Sequence, residues 1–594
     1  MSGWPAKLRT YRKLGLANLW RVGSYRLGLK QGWHPVLKID AQAPDGPFFR
    51  SAKPDLPFAP RADWQQTMPW FGWTEKPLGD VPDWHLSPQS GAHAASDRPW
   101  HQIGDFDPAL GDIKAVWEAS RWDWLLAMAT RGETERINDW IADWLTHNPP
   151  FEGVNWKCGQ EASIRVMHMA LAAVVLGQDE APEPGLAALL KLHLRRIAPT
   201  MNYAIGQANN HGTSEAAALF IGGSWLDRLG DGEGAAWART GRRWLEERAH
   251  ALIAEDGTFS QYSLVYHRVM LDTYCLVELW RRRWKLAAFS GALHRRLDAA
   301  TRWLQQMVQA NGDGPNFGAN DGARLIALTD GPYRDFRPTL QSSAILFCDR
   351  VAIVEQGPWD RLIALFGQPR PSEQLPAPKS RIFPDGGLAV LRTDRAVAFV
   401  RFGRFDHRPS QADLMHVDLW VDGENLLRDD GSFSYADDAE GYGSASMHNS
   451  VTFDGRDPMP RVSRFLWGDW VEAEVGEIRD VDGEQSIRFS HRDANGNRHE
   501  RTITLSHMRL ICRDMLSGKA NSATLRWRLP VGDYDIHSNT IQAEGMCMGV
   551  NGDTIDGPCL VDSVESRHYF NQQPVKVLEV TCQVPGQLET SIRF

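Results

Sequence analysis

Residues 209–220 read Asn209–Asn210–His211–Gly212–Thr213–Ser214–Glu215–Ala216–Ala217–Ala218–Leu219–Phe220. Polar side chains that hydrogen-bond or titrate stand directly before an apolar run. Asn209 or Asn210 reads as a helix start, since an Asn oxygen can satisfy a free N–H of the first turn. His211 and Glu215, four residues apart, share a face of that helix. Two readings follow. The segment is the capped start of a core helix, or an Asn-His pair at the mouth of a buried helix that positions an anionic substrate.

Working outward, apolar residues recur at three- and four-residue spacing through 113–131, 135–147, 160–177, 184–198, 214–229, 234–254, 263–284 and 289–310. Clusters such as His147–Asn148–Pro149–Pro150 and Asp179–Glu180–Ala181–Pro182 separate them. Helices of similar length on short connections predict consecutive antiparallel hairpins. A ring of such hairpins, an α/α toroid, would offer a concave face to a long ligand. A bundle or a solenoid would show the same periodicity.

Beyond this helical region the composition shifts. Gln368–Pro369–Arg370–Pro371 and Pro376–Ala377–Pro378 read as a linker. Short apolar runs then follow at 387–392, 397–401, 416–420, 450–454, 470–475, 498–506, 524–529 and 576–584. Short runs with turn signals between them predict a β-sandwich. The expected organisation is an N-terminal basic helix and extended wrap over 1–107, a helical domain over 108–370 and a β-domain over 380–594.

The wrap, 41–107, is rich in Pro, Gly, Asp and Trp. Before it, residues 5–30 carry Lys7, Arg9, Arg12, Lys13, Arg21, Arg26 and Lys30, with no acid until Asp40. Such a segment rests on a membrane surface or an anionic polymer, or packs as a solvated helix on its own domain; the last is the preferred reading. The start lacks a continuous apolar stretch of signal-peptide type, which predicts a cytoplasmic location, with the periplasm as the alternative. No apolar run reaches membrane-spanning length.

The 594 residues carry a formal net charge of −9, which argues against a general nucleic-acid binder. The 25 Trp are expected mainly in helix–helix cores, with stacking on sugar rings as the other use of an indole. Seven scattered Cys, with no C-x-x-C pair, predict free buried thiols.

Two further stretches carry chemistry. In Asp256–Gly257–Thr258–Phe259–Ser260–Gln261–Tyr262–Ser263, a turn leads towards a helix opened by Tyr266–His267–Arg268. A Tyr hydroxyl beside cations loses its proton more easily and can serve as base or acid. Between Arg408 and Asn449 lie Gln411, Asp413, His416, Asp418, Asp429, Asp430, His448 and Asn449. Strand alternation would put Gln411 and Asp413 on one face, and His416 and Asp418 on the other. Asp429 and His448 suit a divalent metal or a structural polar network.

The blocks NNHGTSEAAALF, DGTFSQYSLVYHR and HVDLWVDGENLLRDDGSFSY…MHNSVTFDG resemble the heparinase II/III-like polysaccharide lyases, which act on uronic-acid polymers such as glycosaminoglycans. FEGVNWKCGQEASIRV and IKAVWEASRW resemble members found with bacterial exopolysaccharide genes. The resemblance runs in ordered blocks over roughly 100–470. It implies an incomplete α/α toroid followed by an antiparallel β-sandwich, with the site in the cleft between them. It implies β-elimination on an acidic polysaccharide. Asn210 would neutralise the substrate carboxylate beside His211, Tyr266 would be base, acid or both, and His416 would come from the β-domain. Asn209, Glu215, Glu161, Arg165 and His267 are the candidate substrate-binding residues. Arg165, one turn from Glu161, would bind a carboxylate or form an internal salt bridge with that residue. Asp429 and His448 match metal positions, for one structural divalent ion, zinc or calcium. The chain departs from the pattern at Gln411, where many members carry His. The alternative to a lyase is a non-catalytic glycan-binding or exopolysaccharide-assembly protein on the same scaffold. A hydrolase would need two carboxylates flanking the scissile bond, and no acidic pair stands out for that role.

Overall fold

The computed structural model describes residues 4–62, 67–77, 81–104, 106–436, 441–553 and 555–594. Parts of the expected wrap, 63–66, 78–80 and 105, and residues 437–440 of the 408–449 stretch lie outside the described residues. Helices come first, interrupted by one antiparallel hairpin, Thr67–Trp70 with Thr74–Pro77, and a β-region of antiparallel sheets follows.

The helices are α1 (Trp4–Leu14), α2 (Leu16–Lys30), α3 (Lys114–Ser120), α4 (Asp123–Arg131), α5 (Thr134–His147), α6 (Gly159–Val175), α7 (Pro184–Ile197), α8 (Met201–Gly206), α9 (Asn210–Arg228), α10 (Gly234–Leu252), α11 (Leu264–Arg283), α12 (Gly291–Met307), α13 (Arg337–Phe347) and α14 (Arg361–Leu365). Each periodic segment of the sequence contains a helix. The segment 113–131 contains two, because Trp122 takes a left-handed φ of 65°. Its indole is buried edge-on against Trp144 at 5.1 Å and tilted against Trp124 at 5.8 Å. Trp84, Trp140, Trp156, Trp225 and Trp280 are buried in the same helical core, as expected for most indoles.

The first sheet orders Arg381–Phe383, Leu388–Arg392, Ala396–Arg401, His416–Val421 and Glu424–Leu427 as five antiparallel neighbours. Its three central strands are buried on both faces. Leu388, Val390, Val397 and Phe399 pack into the helical core. Ala389, Leu391, Ala398 and Val400 pack with Phe489, Ile503, Leu525 and Trp527 in the core of the β-region. That double burial explains the nearly continuous apolar runs at 387–401. Among the described residues, a nine-stranded sheet, a four-stranded sheet and a two-stranded pair, Arg461–Ser463 with Leu466–Trp467, complete the β-region.

Two expectations need correction. Strand alternation does not reach Gln411 and Asp413, because the strand begins at His416 and 411–413 is irregular. Of 470–475 only Glu474–Val475 is strand. Trp470 and Val471 instead join a small cluster with Met459, Leu466 and Trp467.

The two regions are tied at several points. Asp313 accepts from Arg334 at 2.8 Å and also pairs with Arg567. Asn316 Nδ2 donates to Ser566 O at 3.0 Å, and Trp73 Nε1 donates to Tyr569 O at 2.7 Å. Among the described residues, no helix is long and apolar enough to cross a membrane.

Candidate active site

A cavity of about 320 Å³ opens between the helical and β-regions. Asn210, His211, Tyr266, Gln261, Arg408 and Tyr435 are among the residues that line it. A second cavity of about 1080 Å³ adjoins it, sharing Cys158, Asn209, His211, Gln261 and Arg408. Together they form one elongated cleft.

The start of α9 builds one wall. Asn209 caps the helix by accepting from His211 N at 3.1 Å. The Asn210 N–H donates to Gln261 Oε1 at 2.9 Å, which ties α9 to the loop before α11. Both opening readings of this stretch therefore describe the same residues, a capped core helix whose first turn faces a cavity. His211 Nδ1 lies 3.8 Å from Glu215 Oε1 and 4.0 Å from Cys158 Sγ. Burial disfavours a charge on His211, but Cys158 and Glu215 outweigh it and push the imidazole up to about 10. Burial raises Glu215 as well, while His211 pulls it back. A Cβ at Gly159 would stand 2.6 Å from the Glu215 carboxylate, so glycine is required for this approach.

Tyr266 stands on the first turn of α11, where Ser263 Oγ caps the helix by accepting from Tyr266 N at 3.2 Å. Its hydroxyl lies 2.8 Å from the Tyr435 hydroxyl. Tyr435 N–H donates to Asp112 Oδ2 at 2.9 Å, and Tyr569 OH donates to the same oxygen at 2.5 Å. Lys114 Nζ sits 5.2 Å from the Tyr435 ring centroid and 2.7 Å from Asp321 Oδ2. The expected lowering of the Tyr266 pKa is not found. Burial, then Asp321 and Tyr435, push it well above its ordinary value, and the resting group is a neutral phenol. Tyr435 lies in the block ending Ser432–Phe433–Ser434–Tyr435, and no spacing there marks it as a site residue. Its hydroxyl reaches Tyr266 across 169 residues, a pairing that no local spacing encodes.

Other candidates lie elsewhere. Arg165 is fully buried, with its guanidinium donating to His193 Nε2 at 2.9 Å, Ser120 O at 3.1 Å and Asn155 O at 3.0 Å. It therefore meets neither substrate nor Glu161. Glu161 does line the cavity, but it pairs with Arg121 at 2.8 Å. His267 is fully buried, donates its Nε2–H to Ala300 O at 2.9 Å and stacks on Trp303 at 4.4 Å.

His416 also lies outside the cavity wall. It is fully buried at the start of its strand, and its place is a cluster with Asp429 and His448. His416 Nε2 is 3.4 Å and His448 Nδ1 is 3.3 Å from Asp429 Oδ2. Neighbouring ligands of a tetrahedral zinc with bonds near 2.0 Å stand about 3.3 Å apart. These three atoms are buried without a standard hydrogen bond, as is Asp430 Oδ1. The residues thus fit a divalent ion in type, number and spacing. One feature opposes it. Asn449 N–H donates to His416 Nδ1 at 3.0 Å, which favours the tautomer with its proton on Nε2. Gln411 takes no part, because its amide accepts from Gly318 N at 2.9 Å and donates to Gly431 O at 3.0 Å.

Asp321 gives the cavity a pH-dependent contribution to stability. Burial alone would raise its pKa, but Lys114 and Arg121 outweigh this and lower it to about 2. An unfolded Asp titrates near 3.9, so the unfolded chain binds the proton more tightly. The resulting stability, about 2 kcal/mol, is present above roughly pH 5 and lost as pH falls through the folded value. Asp321→Asn is expected to flatten that part of an acid-denaturation curve, and an unchanged curve would contradict the assignment.

Residues 375–555 match the family model described as heparinase II/III-like, C-terminal. The chain superposes on the crystal structure of heparinase III with a TM-score of 0.64 at 12% identity, covering 100% of this chain and 92% of that one. Heparan sulfate lyase HepC from Pedobacter heparinus aligns with a TM-score of 0.53 at 17% identity, covering 89% and 81%. Chondroitin AC lyase of Streptomyces coelicolor A3, solved with chondroitin sulphate, aligns with a TM-score of 0.51 at 11% identity, covering 81% and 73%. A search of curated protein sequences finds no match. The heparinase II/III-like resemblance and the architecture of a helical toroid followed by a β-sandwich are thereby established.

Proposed function

We propose that this chain is a polysaccharide lyase that cleaves a uronic-acid-containing polysaccharide by β-elimination. The observation that carries the reading is the meeting of Asn210, His211 and Tyr266 on one cavity wall, from helix starts far apart in sequence. The likeness to solved polysaccharide lyases supports it at the level of fold.

The C5 proton of a 4-linked uronate is weakly acidic. Removing it requires donors that stabilise the charge gathering on the neighbouring carboxylate. The Asn210 amide, the charged His211 and the Arg408 guanidinium are among the donors that line the cavity. Tyr266, a neutral phenol at rest, would once ionised take the C5 proton and, neutral again, pass it to the departing O4. To take the C5 proton it must first be ionised, and Arg408 favours the phenolate. The rate is then expected to rise with pH into the alkaline range. His416 has no role in this scheme, because the wall does not include it. Incubation with a panel of uronate polymers, read by the short-wavelength ultraviolet absorbance of the unsaturated uronate product, tests the reading. Absorbance that grows on none of them would remove it.

For the metal, we infer that a bound divalent ion would be held by His416, Asp429 and His448. There it would cross-link the strand beginning at His416 to the loops of Asp429 and His448, and supply no chemistry to the cleft. Elemental analysis is expected to find about one ion per chain, and chelation to lower the melting temperature with specific activity kept per folded molecule. Metal-free protein whose melting is indifferent to chelator would contradict this.

A further inference from the structure

We propose that the outer face of α2 docks on an anionic lipid surface. In α2, Leu16, Trp20 and Leu27 are 78%, 70% and 53% exposed. At 3.6 residues per turn, positions 16, 20, 23 and 27 fall in one narrow stripe. Gly23, within it, is also exposed. The opposite side, with Asn18, Leu19, Val22 and Tyr25, lines the larger cavity of the cleft. The helix therefore has an inner face committed to the protein and, among the described residues, an outer apolar face that stays exposed. Trp33, just past its end, is 49% exposed. Large apolar groups scattered singly need no explanation, whereas a stripe of them on one short helix does.

Charge says what covers the stripe. From Lys7 to Lys30 the segment holds seven cations, and no acid occurs before Asp40. Arg9 and Lys13 are used inside the molecule, on Asp469 at 2.8 Å and Glu472 at 3.5 Å. Arg12 and Lys30, before and after the stripe in sequence, stay exposed, and Arg26 is exposed at the larger cavity. Leu and Trp flanked by Arg and Lys suit the boundary of an anionic bilayer, where acyl chains take the apolar groups and headgroups take the cations. A two-fold contact between copies of the chain would set these cations against one another. A hydrated polyanion would neutralise them but leave Leu16 and Leu27 in water.

The inference does not depend on the reading of the cleft, and neither Leu16, Trp20 nor Leu27 lines it. The test is co-sedimentation of the full chain with phosphatidylcholine vesicles, with and without about a quarter phosphatidylglycerol. The chain is expected to pellet with the anionic vesicles only, and less so as salt rises. The combined variant Leu16→Gln, Trp20→Gln, Leu27→Gln is expected to lose at least about tenfold in binding with unchanged melting. Arg12→Gln with Lys30→Gln is expected to lose several-fold. Failure to pellet with anionic vesicles overturns the proposal, as does pelleting that the apolar variant does not weaken. A dimer that the apolar variant dissociates, without vesicle binding, assigns the face to a second copy and overturns it too. Retention on an anionic polymer without vesicle binding has the same consequence.

Discussion

Tyr266→Phe is expected to lower turnover by about a hundredfold or more while substrate binding survives. The change removes one hydroxyl from a buried position on the cavity wall. Among the described residues, that hydroxyl is hydrogen-bonded to the Tyr435 hydroxyl, at 2.8 Å. Loss of one such hydrogen bond costs about 1 kcal/mol, so the variant should remain folded. The alkaline rise in rate should vanish with the phenol. Tyr435→Phe removes the partner and leaves the reacting hydroxyl, so a smaller loss is expected. Melting temperature and product absorbance measured on the same preparations separate the effects. If Tyr266→Phe loses stability but keeps its activity per folded molecule, Tyr266 is a core residue only.

Arg501→Met is expected to destabilise the β-region by about 3–5 kcal/mol, because it leaves Asp514 buried without its charge partner. Both side chains are fully buried, with Arg501 Nε 2.6 Å from Asp514 Oδ1. Arg501 also donates to Met415 O at 2.6 Å and Asn449 O at 2.8 Å. These carbonyls adjoin His416 and His448, so one guanidinium fixes the two segments that carry the imidazoles. Arg501 and His499 outweigh burial and hold the Asp514 pKa well below its usual range. Replacing both partners, Arg501→Met with Asp514→Leu, should recover part of the loss, since no unpaired charge remains. Denaturant unfolding of both variants checks this. A single variant as stable as the parent would show that the pair is dispensable.

The helices were legible because their cores repeat every three or four residues, as in 160–177 and 263–284. The break at Trp122 was not, because a left-handed tryptophan is held by the indoles around it and no local residue signals it. Strands at 388–392 and 396–401 were legible as apolar runs, but the layer each face meets was not. Asn210, His211 and Tyr266, which the motif blocks single out, line one cavity. Arg165 was misread because Glu161, one turn away, looked like its partner. Arg121, from another segment, took that partner instead. His416 was misread because sequence shows a histidine near the site and does not show that Phe317 packs edge-on against its ring at 6.0 Å. Tyr435 and Arg408 reach the cavity from irregular segments, where no periodicity says which way a side chain points.

The most direct test of the central claim is the mass of the products formed from a defined uronate oligosaccharide. β-Elimination splits the parent without adding water, so the summed product masses should equal that of the parent, with one fragment carrying the unsaturated uronate. Tyr266→Phe, on the same oligosaccharide, should yield the parent almost unchanged. Products whose masses exceed the parent by one water would show hydrolysis and contradict the account.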